Sequence, residues 1–334
     1  MKLNLPLVFV VCLTVLILVT GCINPPDGSL AVAADRVHIV GEYGSYNKAF
    51  YWNDGILTLL DAPDGDIHVS ASSVSVSGGV VYVGGQCDGR PCYWINGVRH
   101  DIVCESGSIA GIAVDSTGRL IMAGTCDGEG SVWIDDLRSA LQVPSGSAAT
   151  VNSLTVIGDV IYAAGSCTSI DDWSDLGSHY WTDGVSNSLP VPSSVMPGGS
   201  ARTSGIAVLG SSVIVSGTYD SDAEDAGAGY WRDGVWNALD GSTARGVTVG
   251  GNMFCIVGRD SDGACYWLDG QKTSLLAVHS TIATAVAFSG NTFVAAGERG
   301  AISQDDTVGY WSGGDFIDIH EDSIADINGI FITD

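Results

Sequence analysis

Two short acidic strings, Asp220-Ser-Asp222 and Asp260-Ser-Asp262-Gly263, place carboxylates at alternate positions in segments that read as tight loops. Hard divalent cations take several carboxylate and carbonyl oxygens, so Asp220, Asp222, Asp260 and Asp262 are a candidate Ca²⁺ ligand set. No complete twelve-residue calcium loop is present, and a solvated acidic rim is the competing reading. Further acids follow the same habit: Asp171, Asp172 and Asp175, then Glu224 and Asp225, then Asp305 and Asp306. Trp173 stands inside the first of these groups, in Asp171-Asp-Trp-Ser-Asp175. An aromatic ring between carboxylates can grip a cation, a sugar face or a basic partner.

Catalytic constellations are not evident, and no catalytic residue is assigned. His38, His68, His100, His179, His279 and His320 fall singly without metal-ligand spacing, and there is no Gly-x-Ser-x-Gly nucleophile elbow. The net charge of -25 repels phosphate backbones and argues against a nucleic-acid partner.

These residues must be positioned by a repeat. A phrase recurs seven times, as Tyr51-Trp52-Asn53-Asp54-Gly55, Tyr93-Trp94-Ile95-Asn96-Gly97, Val132-Trp133-Ile134-Asp135-Asp136, Tyr180-Trp181-Thr182-Asp183-Gly184, Tyr230-Trp231-Arg232-Asp233-Gly234, Tyr266-Trp267-Leu268-Asp269-Gly270 and Tyr310-Trp311-Ser312-Gly313-Gly314. Upstream of each lies an apolar run ending in glycine, at Gly41, Gly85, Gly124, Gly165, Gly217, Gly258 and Gly297. A period near forty residues with four short strand-like runs selects a propeller over a solenoid.

Each unit divides into strands A to D. Strand B ends at the glycine, strand C carries the aromatic pair, and the Asp-Gly or Asn-Gly step is a strong hairpin signal into D. Adjacent Tyr and Trp on one strand point to opposite faces, so both faces must be covered, as stacked blades do. Asn328-Gly-Ile-Phe-Ile332 matches a strand A with no strand B after it, while Val37-His-Ile-Val-Gly41 is a strand B with no strand A before it. The expected fold is therefore all-β: a seven-bladed propeller of four-stranded blades over residues 35–334, closed by pairing of the C-terminal strand A with the N-terminal strands B to D. The acids named above fall mostly between strands B and C, where repeats four, five and seven are longest; such loops share one rim.

The repeat resembles the Tyr-Trp-x-Asp/Asn-Gly propeller repeat of uncharacterised bacterial surface proteins and lipoproteins. That resemblance specifies a fold and no activity.

Residues 1–21 read as a targeting segment, with Lys2 and an apolar core from Leu5 to Val19. Val19-Thr20-Gly21-Cys22 resembles a bacterial lipobox, which implies lipidation of Cys22, and residues 22–34 read as a tether. The expectation is a monomer anchored through its lipid to the bacterial cell envelope on the extracytoplasmic side, with the isoleucine after Cys22 favouring the outer membrane or cell surface. Seven cysteines follow the tether, and Cys87 and Cys92, flanking a four-residue loop, are a candidate disulfide. Cys87, Cys126 and Cys167 share a column in successive blades, which offers a second pairing across blades.

The leading expectation is a binding scaffold that takes a protein or glycan partner on the acidic rim. The alternatives are a glycan-active hydrolase or lyase with its site at the channel mouth, and a structural envelope protein.

Overall fold

The computed structural model describes residues 36–333 apart from 44–47, 63–67, 173, 191–199, 221–226, 277–280, 291, 300–306 and 320–323. The described strands form seven antiparallel sheets of four, each ordered A-B-C-D, and the A strands line a central channel. The protein is a seven-bladed β-propeller.

The recurring phrase turns the chain from C to D. Asp54, Asn96, Asp135, Asp183, Asp233 and Asp269 all adopt φ between 47° and 51° and are each followed by a second residue of positive φ. That pair of values suits the right-handed twist of a hairpin, which is why Asp or Asn precedes Gly here. The side chain adds a reason that glycine could not. Oδ1 of Asn96, Asp135, Asp183, Asp233 and Asp269 accepts from the backbone N–H of Val81, Leu120, Ile161, Val213 and Phe254 at 2.9 to 3.0 Å. The turn thus holds the start of strand B as well as the end of C.

The seven tryptophans of the phrase are buried, one in each of seven core clusters, and each cluster is shared by two neighbouring blades. Trp181, for example, packs with Ile121, Ala123 and Val132 of the preceding blade. The indole N–H groups of Trp94, Trp181 and Trp231 donate to the carbonyls of Asp61, Gln142 and Pro190, at 2.7, 2.7 and 2.9 Å, pinning the D to A connections. Trp236, outside the phrase, meets Trp231 edge-on at 4.7 Å and fills a blade face.

The strand B glycine has a steric cause. In every inner strand the ladder to strand B slips by one residue at the same level, a β-bulge whose extra residue is Asn328, Ser72, Ala110, Asn152, Ser204 and Thr284 in six blades. In blade six the slip falls within Arg245-Gly246. A Cβ on the facing glycine would overlap the inner strand's carbonyl oxygen, that of Asp326 for Gly41 and that of Thr150 for Gly165. Only glycine fits opposite the bulge.

Ring closure is as expected. The inner strand Ile324–Ile332 pairs with Val37–Tyr43, with Val37 opposite Ile332 and Gly41 opposite Ile327. Arg36 Nε donates to the carbonyl of Thr333 at 2.8 Å. Polar bridges also cross between inner strands: Asn328 Nδ2 to Ala71 O at 3.1 Å, Asn152 Nδ2 to Thr203 O at 2.9 Å, and Thr284 Oγ1 to Ile327 O at 2.8 Å. No helix among the described residues is long and apolar enough to cross a membrane.

Candidate functional site

The long B to C hairpin of blade four carries three of the described rim acids. Asp171, Asp172 and Asp175 are all exposed. Asp172 Oδ1 accepts from both the hydroxyl and the N–H of Ser174, at 2.7 and 3.1 Å, and Asp175 Oδ1 accepts from Gly177 N–H at 2.8 Å. Bonds from Ser169 and Ser174 draw the Asp172 carboxyl down to about 2, so it is ionised at any physiological pH. Ile170 and Leu176 flank these acids and are 55% and 43% exposed. The loop therefore offers negative charge and aliphatic surface together. Trp173, in its centre, lies outside the described residues, as do Asp222, Glu224, Asp225, Asp305, Asp306 and Cys22.

The candidate Ca²⁺ ligands are placed in part. Asp220 ends strand B of blade five, and Asp260 follows strand B of blade six. Asp260 is buried, and its Oδ1 caps its own turn by accepting from the N–H groups of Asp262 and Gly263 at 2.8 and 3.1 Å. Its Oδ2 meets Lys272 Nζ at 3.1 Å, and the same ammonium lies 2.7 Å from Asp240. Burial pushes the Asp260 carboxyl up, but the Lys272 and backbone bonds outweigh it and hold the group below its ordinary value. Asp260 is thus engaged in fixing its loop, while Asp262 is exposed.

Cys87 and Cys92 are bonded across their hairpin, with Cα atoms 6.2 Å apart. The cross-blade column does not pair: Cys126 is bonded to Cys104 of the preceding D to A connection, and Cys167 is a buried free thiol, as are Cys255 and Cys265. The reason is proximity within the chain, because each bridged column residue meets a cysteine on its own hairpin or on the connection entering its own blade. Among the described residues, Cys104, Cys126 and Asp127 form the one cluster with metal-ligand proximity. Its two sulfurs bond each other, and Asp127 Oδ1 accepts from the N–H groups of Glu105 and Ser106, both at 3.0 Å.

Sequence reasoning missed a carboxylate pair. Glu42 and Asp326 face each other across the closing strand pair, and His68 lies near Glu42. Burial raises the Glu42 carboxyl; His68 opposes that rise and Asp326 adds to it. The His68 Nδ1 atom is buried without a hydrogen-bond partner among the described residues. The signal was available, because the closure register that sets Gly41 against Ile327 also sets Glu42 against Asp326.

Between the inner strands lies a cavity of about 160 Å³ on the channel axis, bordered by Ser72, Asn152, Ser204, Thr284 and Asn328 from the bulges. A second cavity of about 510 Å³ runs beside Arg90, Arg99, Cys104, Glu105 and Asp127.

No family model matches the chain, and no curated protein matches it in sequence. Among solved structures, it is similar to the computationally designed Ika8 protein at 17% identity, covering 92% of this chain and 93% of that one with a TM-score of 0.49. A gluconolactonase from Xanthomonas campestris is similar at 12% identity over 91% and 89% of the two chains, with a TM-score of 0.41. TolB from Acinetobacter baumannii is similar at 11% identity over 74% and 64%, with a TM-score of 0.44. The blade count and ring closure accordingly rest on the strand pairing of this chain itself.

Proposed function

We infer that the protein is a lipid-anchored, extracytoplasmic binding scaffold whose partner sits on the B to C rim of blade four. The supporting observation is the juxtaposition of exposed Ile170 and Leu176 with ionised Asp172 and its neighbours Asp171 and Asp175, on a hairpin held by its own side-chain bonds. Aliphatic groups beside fixed negative charge suit a basic partner with an apolar core contact, because charge sets approach and orientation while desolvated apolar surface supplies affinity. The lipobox-like Val19-Thr20-Gly21-Cys22 supports the anchor. In a pull-down from envelope extract with the soluble domain from Asp35, Ile170→Ser/Leu176→Ser, Asp171→Asn/Asp172→Asn/Asp175→Asn and Trp173→Ala each lose the native chain's partner. Recovery of the same partner by the first two would exclude this rim.

A glycan-active enzyme is favoured by a different observation, the facing pair Glu42 and Asp326 with Glu42 raised by burial. Glycoside hydrolysis uses one carboxyl kept protonated as acid and a second as base or nucleophile. Any hydrolysis of envelope glycans by the purified domain is expected to fall at least about a hundredfold in Glu42→Gln, a common scale for loss of a general acid. Activity unchanged in that variant rejects the enzyme reading.

A further inference from the structure

The channel carries a pair of cations that the acidic character of the chain does not lead one to expect. Arg202 stands on the inner strand Ser200–Leu209 of blade five, and Arg245 on the inner strand Thr243–Gly250 of blade six. Both are exposed, and neither makes a side-chain hydrogen bond or an ion pair among the described residues, although the chain holds 38 carboxylates against 13 lysines and arginines. Their direction follows from strand alternation. Arg202 lies between buried Ala201 and Thr203, and Arg245 beside buried Ala244, so each arginine leaves its strand on the exposed side. Arg245 occupies in blade six the level of the bulge residues Asn152, Ser204 and Thr284, which line the same cavity.

The two positions are adjacent and rigid. A Cβ on Gly205 would lie 3.0 Å from the backbone nitrogen of Val247, so the two inner strands nearly touch. Arg202 and Arg245 then differ by roughly one or two residues in level, ~3 to 7 Å along the strands. The carbonyl of Arg245 accepts from Ser216 Oγ at 2.6 Å, and the carbonyl of Thr203, next to Arg202, accepts from Asn152 Nδ2 at 2.9 Å. A site on such elements is preorganised in a way a loop site is not. Guanidinium groups at this spacing can fork one oxyanion from two sides. At the level of Arg245, Ser72, Ser204, Asn152 and Thr284 offer hydroxyl and amide groups.

We propose that Arg202 and Arg245 form a channel-mouth site for a small hydroxylated carboxylate, its carboxylate held by the two arginines and its hydroxyls facing the bulge residues. The site is independent of the blade-four rim. Its test is isothermal titration of the full propeller with glucuronate, with glucose and inorganic phosphate as comparison probes. Glucuronate is expected to bind, glucose to bind at least tenfold more weakly, and phosphate to bind more weakly than glucuronate. Arg202→Ala/Arg245→Ala should weaken glucuronate binding at least tenfold while melting as the native chain does, and Arg202→Lys/Arg245→Lys should fall between. Absent glucuronate binding, or unchanged affinity in the folded alanine variant, overturns the site. Equal binding of phosphate and glucuronate, or equal binding of glucose, overturns the assignment to a hydroxylated carboxylate.

Discussion

Gly165→Ala is expected to destabilise the propeller by about 3 kcal/mol or more, although it adds one methyl group to a strand. The added Cβ meets the carbonyl oxygen of Thr150 and the Cα of Val151, backbone atoms of the inner strand that cannot rotate aside. Overpacking against side chains costs ~1 to 3 kcal/mol because they shift; against the backbone of a bulge in the inner strand, relief requires moving the ladder. Gly184→Ala supplies the comparison. Gly184 has φ of 82° with nothing within 4 Å of its would-be Cβ, so its cost is backbone strain alone, about 1 kcal/mol. Urea unfolding of the two variants checks this, and equal midpoints would remove the bulge as the cause of the repeated glycine.

That glycine marks how far the sequence could be read. Its recurrence, and the Tyr-Trp-x-Asp-Gly phrase, gave the blade count, the strand order and the closure of the ring, because period, alternation and turn chemistry are local and repeated seven times. The reason for the glycine was not legible. A bulge is a property of two strands in register, and nothing in Val37-His-Ile-Val-Gly41 announces that Asp326 will turn its carbonyl over Gly41. The Asp side chains of the C to D turns show the same division, since their positive φ was readable from Asp-Gly and their bond back to the start of strand B was not.

The site was less legible for a related reason. Sequence reasoning sought departures from the repeat and so found the loops, where Asp171, Asp172 and Asp175 stand with two exposed aliphatics. Asp326, Arg202 and Arg245 sit inside regular inner strands at positions where other blades carry small or neutral residues such as Ser70, Thr150 and Ser204, and Glu42 sits on strand B opposite Asp326. Their meaning depends on which face of the inner strand looks onto the channel, and the bulge reverses that face partway along. A count of alternating residues that omits the extra one assigns them to the wrong side.

Removal of residues 324–334 is expected to abolish the folded ring rather than trim it. Ile327 and Ile332 are buried in the cluster that joins blades seven and one, with Val37, Ile39, Phe50, Trp52 and Tyr310, while Ile330 and Phe331 pack at its margin and against the next cluster. At ~1.5 to 3 kcal/mol for each side chain the loss is about 6 to 12 kcal/mol, comparable with the ~5 to 15 kcal/mol by which a whole domain is stable. The deletion also uncovers the backbone groups of Val37–Tyr43 as an open sheet edge, and removes the bridges from Thr284 to Ile327 and from Asn328 to Ala71. Size-exclusion chromatography and limited proteolysis should show an aggregating chain cut early in its first blade. A permutant that joins Thr333 to Arg36 and opens the chain at the Gly158-Asp159 hairpin keeps every strand pair and is expected to fold. A monodisperse truncated chain with native melting, or a permutant that fails to fold while the chain opened elsewhere succeeds, would show that closure through the shared blade is not what holds the ring.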